Sequence, residues 1–148
     1  MTILAAIGEH RNSTDIISTA ADLATAFNDS LVVLHVVPEE EFDAHKKSIE
    51  SVTDFRDFSL SQEKDSAARF AYEITKRTLG EVDHQMIQTR GRIGDPTEEI
   101  LAEADELDPR YLVIGGRHRS PVGKAIFGST TQKILLNADC PVVTSIVD

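Results

Sequence analysis

Residues 111–130 read YLVIGGRHRSPVGKAIFGST and join a short apolar run to the start of a predicted helix. The apolar run at 111–114 predicts a buried strand, and the helix is predicted over 129–137. A buried strand that leads through a Gly-rich loop into a helix is typical of a chain in which strands and helices alternate.

The same alternation extends along the whole chain. Short apolar runs predict strands at 3–7, 31–37, 82–89, 111–114 and 142–147. Amphipathic spacing predicts four helices. The first follows Asn12 as its cap, the second covers 60–79, the third begins at Pro96 and the fourth covers 129–137. We therefore predict an α/β fold, a doubly wound parallel sheet with helices on both faces, formed by a single domain over residues 1–148.

Composition narrows the function classes. The 148 residues include 25 Asp and Glu against 15 Lys and Arg, so the net charge is −10 and a general nucleic-acid or membrane-surface binder is disfavoured. Cys140 is the single cysteine, which excludes an internal disulfide framework and a multi-cysteine zinc site. With no apolar run near the length of a membrane span, we expect a cytoplasmic protein.

A basic segment interrupts this acidic chain. Residues 115–133 contain four basic residues and no acid, and their glycines let backbone amides approach a ligand closely. The free amides at the start of the helix at Ser129 favour a phosphate group. The segment therefore predicts an anion site, with a surface loop whose bases pair with nearby acids as the alternative.

Other phosphate-binding motifs do not fit this segment. Six residues separate Gly116 from Gly123-Lys124 where a Walker A loop has four, and Ala125 stands where that loop requires Ser or Thr. The segment is not a GxGxxG motif either.

The spacing Gly115-x2-His118-x9-Gly128-Ser129 resembles the nucleotide motif of the universal stress protein family, Gly-x2-Gly-x9-Gly-Ser/Thr. The resemblance covers nearly the whole chain and leaves only residues 38–60 without a counterpart. Its other matches are ILAAI at 3–7, LHVV at 34–37, GDP at 94–96, LVIG at 112–115 and ADCPVV at 138–143.

This resemblance implies a five-stranded parallel sheet in the order 3-2-1-4-5, with the reversal of strand order beside Gly8 and Gly115. It also implies that adenine packs near Val36 and that the Gly loop and the helix start hold phosphate or ribose. The predicted nucleotide-binding residues are Gly8, Val36, Gly115, Gly116, Arg117, His118, Arg119, Gly128, Ser129 and Thr130. The implied cofactor is ATP or another adenine nucleotide, with or without Mg²⁺, and no protein metal site is predicted.

Two positions depart from the family pattern. His118 replaces the second Gly of the motif, where its side chain either blocks the backbone approach or donates to a phosphate beside Arg117 and Arg119. Gly8 replaces the Asp that ATP-binding members place after strand 1. The family contains branches that bind ATP and branches that do not.

Other residues have structural interpretations. His35 is expected to be a hydrogen-bonded core residue, and Cys140 a packed small side chain. Arg90 and Arg92 either extend the anion site or pair with acids, and we favour pairing. Three phenylalanines are expected to pack on the sheet rather than to form a lid or a dimer contact, namely Phe42, Phe55 and Phe58.

We therefore interpret the chain as a universal stress protein that binds an adenine nucleotide and acts as a sensor or regulatory module. The resemblance also implies a homodimer through the apolar edge strand at 142–147. No nucleophile–base pair or carboxylate pair points to a fast catalyst. The alternatives are a dimeric stress protein that binds no nucleotide, and a slow ATPase or phosphotransferase that uses His118.

Overall fold

One sheet with helices on both faces forms the computed structural model, which describes residues 1–8, 12–43, 60–118, 125–126 and 128–147. Its strands are β1 (Thr2–Ile7), β2 (Ser30–Val37), β3 (Ile87–Ile93), β4 (Tyr111–His118), β5 (Ala125–Ile126) and β6 (Val142–Val147). The helices are α1 (Ser13–Phe27), α2 (Leu60–Leu79), α3 (Pro96–Leu107) and α4 (Ser129–Asn137). Within these described ranges, no helix has the length and apolar content that a membrane crossing requires.

Five strands of the sheet are parallel and lie in the order β3-β2-β1-β4-β6. This arrangement confirms the predicted order 3-2-1-4-5, because β6 is the fifth parallel strand along the chain. β1 lies at the centre, where Ala5 is opposite Val33 on one side and Val113 on the other.

A short antiparallel strand was not predicted from the sequence. β5 pairs with the end of β4, where Ile126 is opposite Arg117. Val147 of β6 pairs with the same Arg117, so β6 and β5 lie on opposite sides of β4. Since β1 and β6 also flank β4 on opposite sides, β5 lies on the side of β1, beyond the end of the β1–β4 pairing.

The core has two halves, one on each face of the sheet. Because successive side chains of a strand point to opposite faces, Ile3 and Ala5 pack with α1 and α2, while Leu4 packs with α3 and α4. All three side chains are fully buried. Complete burial of an Ile or Leu side chain contributes roughly 1.5–3 kcal/mol, so the central strand holds both layers of helices.

Two strands differ from the sequence prediction by several residues, while β1 and β2 each begin one residue earlier than predicted. β3 begins at Ile87 rather than at residue 82, and it continues through Arg90, Gly91 and Arg92, beyond the predicted end at residue 89. Its location at an edge of the sheet is confirmed, because β2 is its one strand partner among the described residues. β4 likewise continues four residues beyond the predicted end at Ile114, because its pairing with β6 extends to Arg117 and its pairing with β5 extends to His118.

Charged residues attach the edge strand β3 to α3. The buried carboxylate of Glu103 accepts hydrogen bonds from Arg90 and from Nε of Arg92, the latter at 2.6 Å. Arg92 also donates to Glu99 at 3.0 Å. The prediction that these two arginines pair with acids is therefore confirmed.

At Gly91 of β3, α2 packs directly against the strand backbone. A Cβ added at position 91 would lie 2.6 Å from the Cβ of Ala67 and 2.7 Å from the backbone nitrogen of Ala68. Glycine is therefore required here for packing between a helix and a strand, although its φ is not in the left-handed region.

A second ion pair joins segments at the amino ends of the strands. Asp29 lies just before β2, is 4% exposed, and accepts a 2.7 Å hydrogen bond from Nε of Arg110, which precedes β4. This hydrogen bond holds the pKa of Asp29 below its ordinary value of 3.8. In the unfolded chain Asp29 would therefore take up a proton at a higher pH than in the folded chain.

We predict that Asp29→Asn lowers the free energy of unfolding at about pH 7, and that this loss shrinks as the pH falls below the ordinary value of 3.8. The ion pair contributes above that pH and is lost as the folded carboxyl becomes protonated. Urea unfolding at about pH 7 and about pH 3 measures the difference, with Asp22→Asn on the exposed side of α1 as the control. An Asp29→Asn effect that is the same at both pH values would contradict the prediction.

Candidate functional site

A cleft of about 580 Å³ opens at the carboxyl end of β1, between the ends of β2 and β4. Its volume lies within the range of small-molecule sites. The lining residues are Ala6, Ile7, Gly8, Asn12, Ile16, His35, Val36, Pro38, Glu41, Pro96, Ile100, Ile114, Gly115, Gly116, Gly128, Ser129, Thr130, Thr131 and Ile134.

The chain path explains why a cleft forms at this place. After β1 the chain enters α1 on one face of the sheet, whereas α3, which leads into β4, lies on the other face. The helices therefore diverge at the boundary between β1 and β4, where the strand order reverses. This reversal is where open parallel sheets bind their ligands.

One end of the cleft is formed by backbone and hydroxyl groups. Gly115 of β4 is covered by α1, because a Cβ there would overlap the side chain of Asn12 and lie 2.9 Å from Cδ1 of Ile16. Its carbonyl accepts a 2.8 Å hydrogen bond from the hydroxyl of Thr131, which fixes the first turn of α4 against β4.

The amino end of α4 opens into this end of the cleft. Gly128 precedes the helix with φ −63° and ψ 164°, a conformation open to any residue, and a Cβ there would meet no atom of the described residues beyond its chain neighbours within 4 Å. No side chain caps the helix and no acid lies in its first turn. The amides of Ser129 and Thr130 therefore have no acceptor within the helix, and the helix dipole adds positive potential.

The opposite end of the cleft is mainly apolar. It is lined by Val36 at the end of β2, by Pro38, and by Pro96 and Ile100 of α3. Glu41, in the helical segment 39–43, is the carboxylate among the described lining residues.

His35 contributes to the wall of the cleft but belongs to the core. It is 4% exposed, and its Nδ1 donates to the carbonyl of Ile7 at 3.2 Å, so the proton must be on Nδ1. Its ring lies 4.5 Å from the ring of Phe70, centroid to centroid. The prediction of a hydrogen-bonded core histidine is confirmed.

The cleft brings together seven of the ten predicted site residues: Gly8, Val36, Gly115, Gly116, Gly128, Ser129 and Thr130. Gly115 and Gly116 lie within β4 rather than in a loop, which corrects the predicted end of that strand. Arg117 and His118 follow them as the last residues of β4. The side chains of these two residues lie outside the described part of the chain, as does Arg119.

Sequence reasoning missed three polar residues of the cleft, namely Asn12, Glu41 and Thr131. Asn12 was predicted to cap α1, and it does occupy the cap position, but its side chain makes no capping hydrogen bond. It lies against Gly115 across the β1–β4 boundary, close to Gly8. Only the tertiary fold brings Asn12 to Gly115, since 102 positions separate them in the sequence.

The remaining predictions concern residues away from the cleft. Phe42 is 8% exposed and packs with Val37, Ala67 and Ile93, which confirms its predicted burial. Phe55 and Phe58 lie outside the described residues. Cys140 packs against the core, and burial raises the pKa of its thiol, so it is not an activated thiolate.

A second cavity of about 420 Å³ lies beside the edge strand β3. It is lined by Arg90, Arg92, Glu99 and Glu103, whose charges neutralise each other through the hydrogen bonds described above. Within the described ranges, no group of three or more His, Cys, Asp or Glu residues is arranged to hold a metal ion.

The sequence matches the model of the universal stress protein family over residues 1–145. A universal stress protein from Mycolicibacterium smegmatis is 51% identical over 49 residues, which are 33% of this chain and 38% of that protein. The stress response protein NhaX from Bacillus subtilis is 26% identical over 157 residues, covering 95% of each chain.

Solved structures share the fold. The universal stress protein UspA from Lactobacillus plantarum superimposes with a TM-score of 0.70 at 17% identity, covering 97% of this chain and 96% of that one. A universal stress protein in complex with cAMP gives a TM-score of 0.62 at 18% identity, with 99% and 96% covered. The universal stress protein from Archaeoglobus fulgidus in complex with dAMP gives 0.59 at 19% identity, with 97% and 96% covered.

The family match spans nearly the whole chain, and the solved structures superimpose on nearly all of its five-stranded parallel fold. The chain therefore belongs to the universal stress protein family.

Proposed function

We propose that this protein binds an adenine nucleotide, ATP in the first instance, in the cleft between β2 and β4 and acts as a regulatory module of the stress response. The observation that carries the proposal is the presence of glycine at position 128. Neither the backbone torsions of this residue nor the described residues around it require glycine, yet it stands where the free amides of α4 open into the cleft. A ligand that approaches the backbone closely accounts for a missing side chain at this position.

The two ends of the cleft suit the two ends of a nucleotide. The amides and hydroxyls of Ser129 and Thr130 are donors for phosphate oxygens. The apolar end at Val36 and Pro96 suits a flat base. β1 lies between these ends, so they are two strand spacings apart, about 10 Å, which a nucleoside with its first phosphate spans.

The ribose lies between the ends in this proposal, over the end of β1. Gly8 has no side chain to offer there, and Asn12 lies beside it with an amide group that can both donate and accept. In this proposal Asn12 supplies the polar contact that ATP-binding members of the family are expected to obtain from an Asp after strand 1. Arg117, His118 and Arg119 are assigned to the phosphates.

Relatives support this choice of ligand. One structural neighbour is a complex with cAMP and another is a complex with dAMP, and both ligands are adenine nucleotides. These neighbours have less than a fifth of their residues identical to this chain, so they support the class of ligand, and ATP itself is the ligand that the resemblance to ATP-binding family members implies.

Binding rather than turnover fits the side chains around the cleft. Among the described lining residues, Glu41 and His35 are the groups of the type used for acid–base catalysis. They do not form a catalytic pair, because His35 is buried and committed to the carbonyl of Ile7. A bound nucleotide would instead act by stabilising the folded protein. A free nucleotide concentration of 100 times Kd raises the free energy of unfolding by about 2.7 kcal/mol.

We predict that Gly128→Val weakens ATP binding at least about tenfold, equivalent to about 1.4 kcal/mol. The valine side chain would occupy the space in front of the α4 amides, while its φ and ψ remain allowed. Isothermal titration calorimetry with ATP measures the effect, and the unliganded melting temperature checks the fold.

The matched control is Gln132→Val, the same new side chain at an exposed position of α4 that does not line the cleft. It is expected to bind ATP as the wild type does. Equal ATP affinity in Gly128→Val and wild type would contradict the proposed phosphate position. Absence of ATP binding in the wild type would contradict the proposed function itself.

We also propose that two copies of the chain associate through β6. Among the described strands, β4 is the one partner of β6, so the other edge of β6 is available for pairing. β6 contains no charged residue, and Ile146 is 38% exposed. An uncharged, apolar edge of this kind favours strand pairing with a second copy around a twofold axis.

Thr144→Lys is predicted to convert the dimer to a monomer, because it places a positive charge from each copy in the strand that forms the proposed interface. Light scattering after size-exclusion chromatography should show a change from twice the chain mass of 16.3 kDa to that mass. Thr25→Lys on the exposed side of α1 is the control and should leave the dimer intact. A Thr144→Lys protein that keeps the wild-type mass would exclude this interface.

A further inference from the structure

We propose that Glu41 selects the base of the bound nucleotide, favouring a base with an exocyclic amino group over one with an oxo group at the same position. The inference rests on the proposed function and adds a residue that determines specificity at the base end of the cleft. It concerns a side chain outside the residues predicted from the sequence.

The position of Glu41 is fixed by its neighbour. The amide of Phe42 donates to the carbonyl of Pro38 at 3.1 Å, which closes the first turn of the helical segment 39–43. The Phe42 side chain is 8% exposed and packs with Val37, Ala67 and Ile93. Because adjacent helical residues point about 100° apart, anchoring Phe42 in the core holds Glu41 at the cleft.

Glu41 is also free to bind a ligand. Its side chain is exposed and makes no hydrogen bond or ion pair with the described part of the chain. Glu99 and Glu103, which line the cavity beside β3, are in contrast engaged by Arg92. A carboxylate without a partner at the rim of a ligand cleft retains its full capacity to accept hydrogen bonds.

The surroundings of Glu41 determine from which group of a ligand its carboxylate would accept a hydrogen bond. Val36, Pro38, Pro96 and Ile100 offer apolar surface for a flat ring, while an ionised carboxylate at the edge can only accept hydrogen bonds. The exocyclic amino group of adenine donates to such a carboxylate. The corresponding oxygen of hypoxanthine has only lone pairs to present, so it is repelled.

The same carboxylate sets the direction of the nucleotide. Glu41 lies beyond β2, whereas the free amides of α4 lie beside β4, on the other side of β1. Phosphates placed near Glu41 would meet like charge, and phosphates placed near Gly128 meet the positive end of a helix. Base selection and orientation therefore depend on the same side chain.

The test compares ATP with inosine triphosphate, which differs from it in carrying hypoxanthine. We expect the wild type to bind ATP at least about tenfold more tightly, since hypoxanthine presents an oxygen where adenine presents an amino group, and it donates only from the neighbouring ring nitrogen N1. Glu41→Gln should bring the ratio of the two affinities close to one, because an amide can rotate to donate to the oxygen of hypoxanthine.

Glu40→Gln is the matched control, because Glu40 is the adjacent exposed glutamate and does not line the cleft. It should keep the wild-type preference. The inference is overturned if the wild type binds both nucleotides equally, or if Glu41→Gln leaves their ratio unchanged; in both cases the proposed nucleotide binding stands. A wild type that binds neither nucleotide overturns the proposed function together with the inference.

Discussion

The burial of β1 on both faces and along both edges is the constraint on which the rest of the structure depends. Ile3 and Ala5 hold α1 and α2 on one face, and Leu4 holds α3 and α4 on the other. Because β2 and β4 flank this strand and their helices leave on opposite faces, the carboxyl end of β1 remains uncovered. The cleft is thus a consequence of strand order, and its two unlike ends follow from which elements meet there.

Much of the fold could be predicted because the strong signals are local. The helix over Leu60–Leu79 and the strand over Val142–Val147 have the predicted bounds, since apolar spacing and Gly80 or Pro141 mark them in the sequence. The extensions of β3 and β4 could not be predicted in this way. Arginine and glycine have little preference for strands. They adopt the strand conformation in β3 and β4 because a neighbouring strand pairs with them.

In the candidate site, too, the residues that could be predicted are those with a local signal in the sequence. Ser129 and Thr130 could be predicted because a helix start and a Gly-rich approach are visible in one continuous stretch. Asn12 and Glu41 could not, since a side chain near a helix start carries no mark of the strand end it will face. Glu41 reaches the cleft because Phe42 is buried, which is a tertiary contact with Ala67 and Ile93.

A crystal structure of the protein grown with ATP tests the central claim most directly. The account predicts density for the phosphates at the amides of Ser129 and Thr130, and for the adenine between Val36 and Pro96 with its amino group toward Glu41. ATP bound in the charged cavity beside β3, or an ATP-soaked crystal whose central cleft holds only water, would contradict it.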